Sequence, residues 1–448
     1  MDNIAPNGSA IVLGGGLAGM LSAAALSKHF SKVLIFERDK LLSSPGYRKG
    51  VPQAHHVHGL LNGGRAAIDN LLPGLLEDLQ EAGSVRSDLG HSNFFHFGLW
   101  KKHFDSGVFQ YFQSRSLLDW CIQKRIAQEP NIELHDETPV KDVLHESGRV
   151  LGVRLEDGKH ILSQCVVDAT GRGSRCTKWL KEWGYGETPS EDIQLGLTYV
   201  SGIFEAPKGL HAGATLVYGT PPEQKRWGLA LQIEQNQLIV TLQGYHGEKP
   251  PLTLEGFKAY AKSLAQPTLY QLLKESKLLK PLHSYTFPKM RRLRFEQMKA
   301  FPQGLFPIGD AQASLDPVFG QGMTVAAQEA SLLQTLLQRN SLDSRQFLKK
   351  SAKLIQAPWL MASVEALRWP DQQGGSSRLM PLLQGYLKHL YRLCAQDQKV
   401  CMAFYRVMHL EKHPYSLFSP GLMARVLKGS LWSQRDPSQT EHPSILIE

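Results

Sequence analysis

The amino-acid sequence predicts an α/β fold with a doubly wound parallel sheet, an inserted antiparallel sheet and a helical C-terminal region. Three observations predict it. An apolar run at 9–13 passes through glycines into an Ala/Leu-rich stretch, and a second apolar run at 32–37 completes the order of a βαβ unit. Four β-rich segments separated by turn residues fill 195–245 and indicate an antiparallel meander. The stretch 345–430 is mostly helical in pattern.

The composition is that of a globular protein. The chain has 448 residues, of which 42% are hydrophobic and 20% charged, which suggests about two to four structural units. The net charge of +9 is dispersed along the chain, so it does not indicate binding to nucleic acid. Five cysteines without a CxxC pair favour a reducing compartment, and we expect a cytoplasmic protein. The apolar stretch 11–26 contains four glycines and follows no positive charge, so we expect neither a signal peptide nor a transmembrane segment.

The first motif follows the first strand directly. Gly14, Gly16 and Gly19 form GxGxxG, in which the first glycine makes a tight turn, the second admits a pyrophosphate and the third lets helix and strand pack closely. The helix N-terminus then directs free N–H groups at the phosphates. Glu37 ends the second strand, 18 residues after Gly19, where a carboxylate can accept a hydrogen bond from a ribose hydroxyl and repel a 2′-phosphate. This set predicts a dinucleotide site without distinguishing NAD from FAD.

The second motif distinguishes them. The segment 309–330, GDAQASLDPVFGQGMTVAAQEA, resembles the second FAD motif of FAD-dependent monooxygenases of the aromatic-hydroxylase and squalene-epoxidase type. The resemblance implies a Rossmann-like FAD-binding domain of the glutathione-reductase type, in which an acid holds the ribityl chain and the glycine turn passes close to the flavin ring. The helix that follows would direct its positive end at the ring. The residues implied as FAD contacts here are Asp310, Pro317, Gly320, Gln321, Gly322 and Met323.

Three further segments resemble the same superfamily in the same order. They are the loop after the second strand, a helix start at Ser114-Arg115, and the segment Asp168-Ala169-Thr170-Gly171. The last segment departs from the Asp-Gly signature of the hydroxylases, which serves both FAD and NAD(P)H. The electron donor is therefore left open between NAD(P)H and a partner reductase. The further FAD contacts implied by these segments are Arg38, Arg48, Gly50, Arg115, Asp168 and Gly171.

The resemblance implies that a flavin C4a-hydroperoxide hydroxylates or epoxidises a small lipophilic or aromatic substrate with dioxygen, in secondary metabolism. His56 and His58 are alternate residues of the segment 54–58, so an extended chain would put them on one face, where a histidine can shuttle protons near pH 7. No acidic or Cys partner stands at ligand spacing, so we predict no metal site. Asp316, before Pro317, either acts on the substrate or caps the turn.

Three alternatives to a monooxygenase stay open. A flavin-dependent halogenase would share the early motifs, although the WxWxIP signature is absent from the sequence. A prenyl-reductase-like flavoprotein would work without oxygen, which the Asp-Ala-Thr-Gly segment permits. A binding protein could retain FAD without catalysis.

The order of the segments predicts a discontinuous arrangement. Trp100, Tyr199, Tyr218 and Trp227 are candidate walls of a substrate pocket, although core packing suits each of them as well. Between 378 and 430, eight Lys/Arg stand against two acids, which fits either peripheral contact with a membrane surface or a solvated outer face. The predicted domains are an FAD-binding domain (1–85, 111–190 and 285–340), a substrate-binding domain (86–110 and 191–284) and a helical C-terminal region (341–448).

Overall fold

The computed structural model describes residues 8–211, 213–369 and 379–432. Arg378 and residues 433–448 of the predicted C-terminal region lie outside the described residues. The strands are β1 (Ser9–Leu13), β2 (Lys32–Phe36), β3 (Val85–Asp88), β4 (Asn93–His96), β5 (Leu99–Trp100), β6 (Phe109–Phe112), β7 (Ile132–His135), β8 (Val140–Glu146), β9 (Arg149–Leu155), β10 (His160–Leu162), β11 (Val166–Asp168), β12 (Ser190–Glu205), β13 (Ala214–Val217), β14 (Arg226–Ile233), β15 (Gln237–Gly244), β16 (His283–Leu293), β17 (Leu305–Pro307) and β18 (Ala313–Ser314). The helices are α1 (Leu17–Ser27), α2 (Asn62–Leu71), α3 (Leu75–Glu81), α4 (Arg115–Ile126), α5 (Cys176–Glu182), α6 (Leu254–Lys262), α7 (Thr268–Leu273), α8 (Gly322–Leu337), α9 (Ser344–Ala366), α10 (Met380–Leu393), α11 (Gln398–Met408) and α12 (Pro420–Trp432).

A five-stranded parallel sheet confirms the predicted α/β fold. Its order is β17-β11-β1-β2-β7, and every neighbouring pair is parallel. The strands β1 and β2 are buried almost throughout, as expected for a parallel sheet that helices cover. Both occupy the segments predicted for them. The apolar segment 161–168 contains parts of two strands, because β10 pairs with β9 in a small sheet while β11 joins the parallel sheet.

The turn between β1 and α1 brings two backbones into contact. Gly14 has φ +98°, a conformation that L side chains rarely adopt. A Cβ atom on Gly19 would lie 1.9 Å from the carbonyl oxygen of Gly14, so only glycine lets α1 approach the strand this closely. Helix α8, from the second motif, packs beside α1. The two predicted motifs are therefore neighbours at the carboxyl ends of the parallel strands.

An eight-stranded sheet stands opposite, in the order β18-β16-β12-β15-β14-β13-β4-β5. The strands predicted within 195–245 are present, but they do not form a simple meander, because β12 pairs with β15 and β16 rather than with β13. The pair β4–β13 is parallel. Strand β16 has no counterpart in the sequence prediction, and the domain boundary predicted between 284 and 285 falls inside it.

The two faces of the large sheet have different neighbours. Val200, Val240 and Leu242 point to one face, which α6 and α7 cover with apolar side chains such as Phe257 and Leu269. Alternate residues of the same strands, among them Tyr199, point to the opposite face. That opposite face is turned toward the parallel sheet and the C-terminal helices.

Helices α9 to α12 pack their inner sides on the core. Leu390, Val400, Phe404 and Val426 are buried there, in one cluster with residues of the large sheet. Leu382 and Leu427 are exposed on the outer side, where the basic side chains of the C-terminal region also lie. Among the described residues, no helix has both the length and the apolar character needed to cross a bilayer.

The substitution Gly19→Ala tests the contact between strand and helix. The added methyl group would overlap the Gly14 carbonyl, so α1 must shift, at a cost of about 1–3 kcal/mol of unfolding free energy. The expected result is a lower thermal midpoint of the flavin-free protein. Gly16→Ala is the matched control, since no atom lies within 4 Å of a Cβ at that position. Equal midpoints for both variants would contradict the account.

Candidate active site

One cavity of about 640 Å³ lies between the carboxyl ends of the parallel strands and the large sheet. It is lined by both glycine motifs, by the loop 49–59 and by residues of β12, β15 and β16. Most of the predicted site residues therefore meet in one space. Those that line it are Gly14, Gly16, Glu37, Arg38, Gly50, His56, His58, Arg115, Gly171, Asp310, Pro317, Gly320, Gly322 and Met323.

The glycine turns leave free space above the backbone. Gly16 precedes the first turn of α1, and a Cβ built on it meets no atom within 4 Å. A Cβ on Gly322, in the first turn of α8, would meet only an Asp310 oxygen, at 4.0 Å. Two helix N-termini with unpaired N–H groups therefore face the cavity without side chains in front of them, a geometry that suits an anionic ligand.

Glu37 holds the first turn together. One of its carboxylate oxygens accepts hydrogen bonds from the Gly15 N–H, at 2.7 Å, and from Arg48, at 3.2 Å, and the other accepts from the Asp39 N–H. Arg48 also donates to the Gly15 carbonyl oxygen at 2.9 Å and does not line the cavity. The guanidinium of Arg48 is thus bound by Glu37 and Gly15, and its expected contact with the ligand stays a prediction.

Asp168 likewise acts behind the cavity wall. It is fully buried and does not line the cavity. Its carboxylate accepts from the Thr170 backbone and hydroxyl and, at 2.6 Å, from the Ser174 hydroxyl. Asp168 therefore shapes the loop 169–174, which presents Gly171 and Arg172 to the cavity, and its expected contact with FAD stays a prediction.

Two buried acids lie beside the second motif. Asp310 lines the cavity, and burial raises its pKa to about 6, against the opposing effect of nearby Arg172 and Arg115. Glu329, in α8, accepts from the Gly309 N–H at 2.7 Å and from the Ser351 hydroxyl at 2.6 Å. Burial raises the pKa of Glu329 to about 7. Sequence reasoning missed Glu329, although a single acid in a helix without other charged residues was a usable signal.

Cationic side chains dominate the charged lining of the cavity. Arg115 lines it while its Nε donates to Asp119 at 2.7 Å. Arg172 lies over the Phe287 ring, at 4.4 Å from its centroid. Against these cations stand Glu37, Asp39 and Asp310, so the sum of charges favours an anionic ligand such as a pyrophosphate. The cations are Arg38, Lys49, Arg115, Arg172 and Arg175.

The two predicted histidines line the cavity together. The Nδ1 atom of His56 is 2.8 Å from the Ser201 hydroxyl, and Nδ1 of His58 is 2.9 Å from the His56 carbonyl oxygen. Burial lowers the pKa of His56 to about 3 and that of His58 to about 4, with further lowering from neighbouring His and Arg charges. With these lowered pKa values both rings are neutral near pH 7, and the expected proton shuttling by a histidine stays a prediction. Among the described residues, no group of three or more His, Cys, Asp or Glu could hold a metal ion.

The large sheet contributes the opposite wall. Tyr199, Thr241, Gln243, Tyr285 and Phe287 line it. Of the four aromatic residues proposed as walls, only Tyr199 lines the cavity. The rings of Tyr218 and Trp227 stack on each other at 4.5 Å within the core, and Trp100 packs against Phe95.

Two predicted site residues of the second motif, Asp316 and Gln321, do not line the cavity. Asp316 accepts hydrogen bonds from the Val318 N–H at 3.0 Å and from the Tyr245 hydroxyl at 3.1 Å, so it caps the turn. Burial raises its pKa to about 6. Gln321 directs its amide toward Met361 and Met408 of the C-terminal helices. Asp316 therefore has the capping role, one of the two roles expected for it, while its catalytic role and the FAD contact of Gln321 stay predictions.

Two family models and two curated relatives match the chain. Residues 9–194 match the family described as glucose inhibited division protein A, and residues 226–356 match the squalene epoxidase family. Protein Rv3254 of Mycobacterium tuberculosis is 32% identical over 379 residues, which cover 80% of each chain. Squalene monooxygenase of Mus musculus is 26% identical over 356 residues, which cover 73% of this chain and 54% of that relative.

The chain belongs to the FAD-dependent monooxygenase superfamily. It is an FAD-dependent oxidoreductase of the monooxygenase type. Solved structures at low identity share its fold. The flavin-dependent brominase Bmp2 has a TM-score of 0.65 at 17% identity and covers 96% of this chain and 100% of its own. PqsL of Pseudomonas aeruginosa, a probable FAD-dependent monooxygenase, has a TM-score of 0.62 at 16% identity. The match covers 89% of this chain and 99% of PqsL.

The geometry of the cavity fits the flavoprotein assignment. The bare backbone at Gly16 and Gly322 leaves room for a dinucleotide, and the cationic lining matches a pyrophosphate. Glu37 reaches the cavity near the first motif, and Asp310 reaches it near the second. The free space and the charges of the lining residues therefore fit an FAD molecule.

Gly16→Ala tests this fit. The new methyl group would occupy the free space over the N-terminus of α1, so we expect about tenfold to hundredfold weaker FAD binding, the equivalent of about 1–3 kcal/mol of overpacking. Titration of the flavin-free protein with FAD, followed by flavin fluorescence, measures the change. Unchanged affinity would contradict the placement of the ligand over Gly16.

Glu329→Gln tests the buried acid. Because the native carboxyl group has its pKa raised from 4.5 to about 7, the folded protein holds a proton that the unfolded chain releases, and stability falls as pH rises from about 4.5 to 7. Without carrying a charge, glutamine can accept from the Gly309 N–H with its oxygen and donate to the Ser351 hydroxyl oxygen with its amide nitrogen. Wild type should therefore lose stability between pH 5 and pH 8, and the variant should not. We expect the unfolding free energy of the variant, measured relative to wild type, to be about 1–3 kcal/mol higher at pH 8 than at pH 5.

Glu182→Gln on the exposed face of α5 is the control for that measurement. Chemical denaturation of the flavin-free proteins at both pH values gives the two differences. The same pH dependence in wild type and Glu329→Gln would show that Glu329 does not carry the effect.

Proposed function

We propose that the protein is a monooxygenase that hydroxylates or epoxidises a small lipophilic or aromatic molecule, in secondary metabolism. The observation that carries the proposal is the continuity of the cavity. A single space runs from Gly14 and Glu37 of the dinucleotide motif to Tyr199, Tyr285 and Phe287 of the large sheet. A flavin held at one side of this space would meet an aromatic-walled compartment at the other.

The protein groups that would hold FAD follow from their positions. The N–H groups at the start of α1, above Gly16, would take the pyrophosphate with help from the lining arginines. Asp310 would take a hydroxyl of the ribityl chain, and the N-terminus of α8 would face the ring. When bound and reduced, FAD supplies the activation of dioxygen by which one oxygen atom reaches the substrate and the other leaves as water.

His56 is the residue we propose for proton movement. A hydrogen-bonded chain joins its Nδ1 to Ser201 at 2.8 Å and Ser201 to Thr241 at 2.5 Å, and Thr241 also accepts from the Val57 N–H. Ser201 and Thr241 are almost fully buried, so the chain is shielded from bulk water. Neutral His56 would relay a proton through its ring rather than store one, since its pKa is about 3.

His58 is held differently. Its Nδ1 lies 2.9 Å from a carbonyl oxygen, which can only accept, so Nδ1 carries the hydrogen and Nε2 is left as an acceptor. We propose that this fixed ring positions His56 through the backbone carbonyl it holds. The source of electrons is proposed to be NAD(P)H or a partner reductase. The five buried, unpaired cysteines support a cytoplasmic protein.

Isotope labelling tests the proposed reaction. Holoenzyme reduced by NADH, NADPH or a flavin reductase is supplied with ¹⁸O₂ and a panel of phenols and unsaturated hydrocarbons. A product that carries one labelled oxygen atom is expected. Saturation of a double bond without label would indicate the reductase alternative, and halogenation in the presence of bromide or chloride would indicate the halogenase alternative.

His56→Ala tests the relay. Loss of the ring should lower the rate of product formation by about 10²-fold or more and divert reducing equivalents to hydrogen peroxide. His55→Ala is the control, because His55 stacks between Tyr47 and His283 and does not line the cavity. The pH–rate profile should show no step from His56 between pH 5 and 8. If His56→Ala still uses all its reducing equivalents for product formation, His56 has no role in the mechanism.

A further inference from the structure

Glu329 is a buried acid that the proposed reaction does not use. It lies in α8, behind the second motif, and has no exposed surface. It does not line the cavity, so we expect no direct contact with FAD. Burial of a carboxyl group is costly unless its hydrogen bonds or its charge compensate for the loss of water. An acid buried beside a cofactor site therefore indicates a task that an apolar side chain could not perform.

Hydrogen bonds connect Glu329 to the backbone next to Asp310. One carboxyl oxygen of Glu329 accepts from the Gly309 N–H at 2.7 Å, and the other accepts from the Ser351 hydroxyl at 2.6 Å. Gly309 has φ +65°, and a Cβ atom on it would lie 3.2 Å from the Ala18 side chain in α1, so this turn is tight. Asp310 follows directly and lines the cavity. Glu329 thus fixes the turn that presents the Asp310 carboxyl group to a ligand.

The two acids also act on each other through their charges. Burial raises the pKa of Glu329 to about 7, and the charge of Asp310 adds to this rise. Burial likewise raises the pKa of Asp310 to about 6. The two groups therefore titrate as a pair near neutral pH. The charged groups on the neighbouring elements are Arg115 of α4, Arg172 of the loop 169–174 and Arg292 of β16, which donates to a carbonyl oxygen of α9 at 2.8 Å.

Reduction of bound FAD would bring a negative charge next to this pair. Two electrons and one proton convert oxidised flavin into its reduced anion, which the positive end of α8 stabilises. A negative charge nearby disfavours the ionised form of a carboxyl group and so raises its pKa. Carboxyl groups that are partly ionised near pH 7 in the oxidised protein would then take up a proton from solvent.

We propose that Glu329 positions Asp310 toward FAD and takes up a proton when the flavin is reduced. The complete step consumes two electrons and two protons. The electron pair, from whichever donor reduces the flavin, and one proton go to the flavin, and the second proton goes to the carboxyl pair. This inference rests on the proposed function for the placement of Asp310 at the ribityl chain, but not on the oxygenation of a substrate.

The pH dependence of the flavin reduction potential measures the second proton. Holoenzyme is reduced stepwise with dithionite beside a reference dye, at several pH values between 7 and 8. Wild type is expected to take up about two protons per electron pair, because the flavin and the carboxyl pair each bind one. Glu329→Gln can still accept from the Gly309 N–H and should take up about one. Glu182→Gln, the same change on the exposed face of α5, should behave like wild type.

Infrared difference spectra of reduced minus oxidised holoenzyme give a readout that needs no variant. The C=O stretch of a protonated carboxyl group should appear on reduction, and it should shift in protein labelled with ¹³C-glutamate. The same band should be missing from Glu329→Gln. A band that does not shift with the label would belong to an aspartate and would overturn the assignment to Glu329.

Three further results would overturn the inference: one proton in wild type, two protons in Glu329→Gln, or no carboxyl band on reduction. Each of them is obtained from a protein that binds flavin and accepts electrons, so the proposed function would stand. A protein that holds no flavin, or whose flavin dithionite does not reduce, would contradict the proposed function and this inference with it.

Discussion

The close contact between Gly14 and Gly19 is the constraint on which the site depends. Because α1 can approach β1 only where no Cβ intervenes, its N-terminus comes to lie at the carboxyl end of the central parallel strand. Helix α8 packs beside α1 and brings the second motif to the same place. Asp168, Glu37 and Glu329 then fix the surrounding loops through hydrogen bonds to backbone N–H groups and hydroxyls. Most of the acidic side chains near the site therefore accept hydrogen bonds from the protein's own turns.

Side chains alternate between the two faces of the large sheet, so one face stabilises the fold and the other lines the cavity. One face is apolar and buried under α6 and α7, which stabilises the sheet by removing Val200, Val240 and Leu242 from water. The other face carries tyrosines, hydroxyls and an amide toward the cavity. A shift of the strand register by one residue would exchange the two faces. Burial of the first face therefore also determines which side chains the second face presents to the cavity. Stability and the choice of cavity wall are therefore coupled along each strand.

The sequence was most informative where a backbone conformation requires a residue type. The strand, glycine turn and helix around Gly14 to Gly19 could be predicted, because glycine at those positions has a steric reason. The direction of the Gln321 side chain could not be predicted, since it depends on contacts with α9 and α11, and that of Asp316 depends on Tyr245, which follows β15. Tyr285, Gln243 and Thr241 were missed because their meeting depends on strand pairing between distant segments. The lowered pKa of His56 likewise arises from burial that a local pattern does not reveal.

The most direct test of the account is the visible absorption spectrum of the purified protein under anaerobic conditions, recorded during reduction and after dioxygen is admitted. The account predicts flavin bands that disappear on reduction by dithionite and return with oxygen. A protein that shows no flavin band, even after incubation with FAD, would contradict the assignment of the cavity between the parallel sheet and the large sheet.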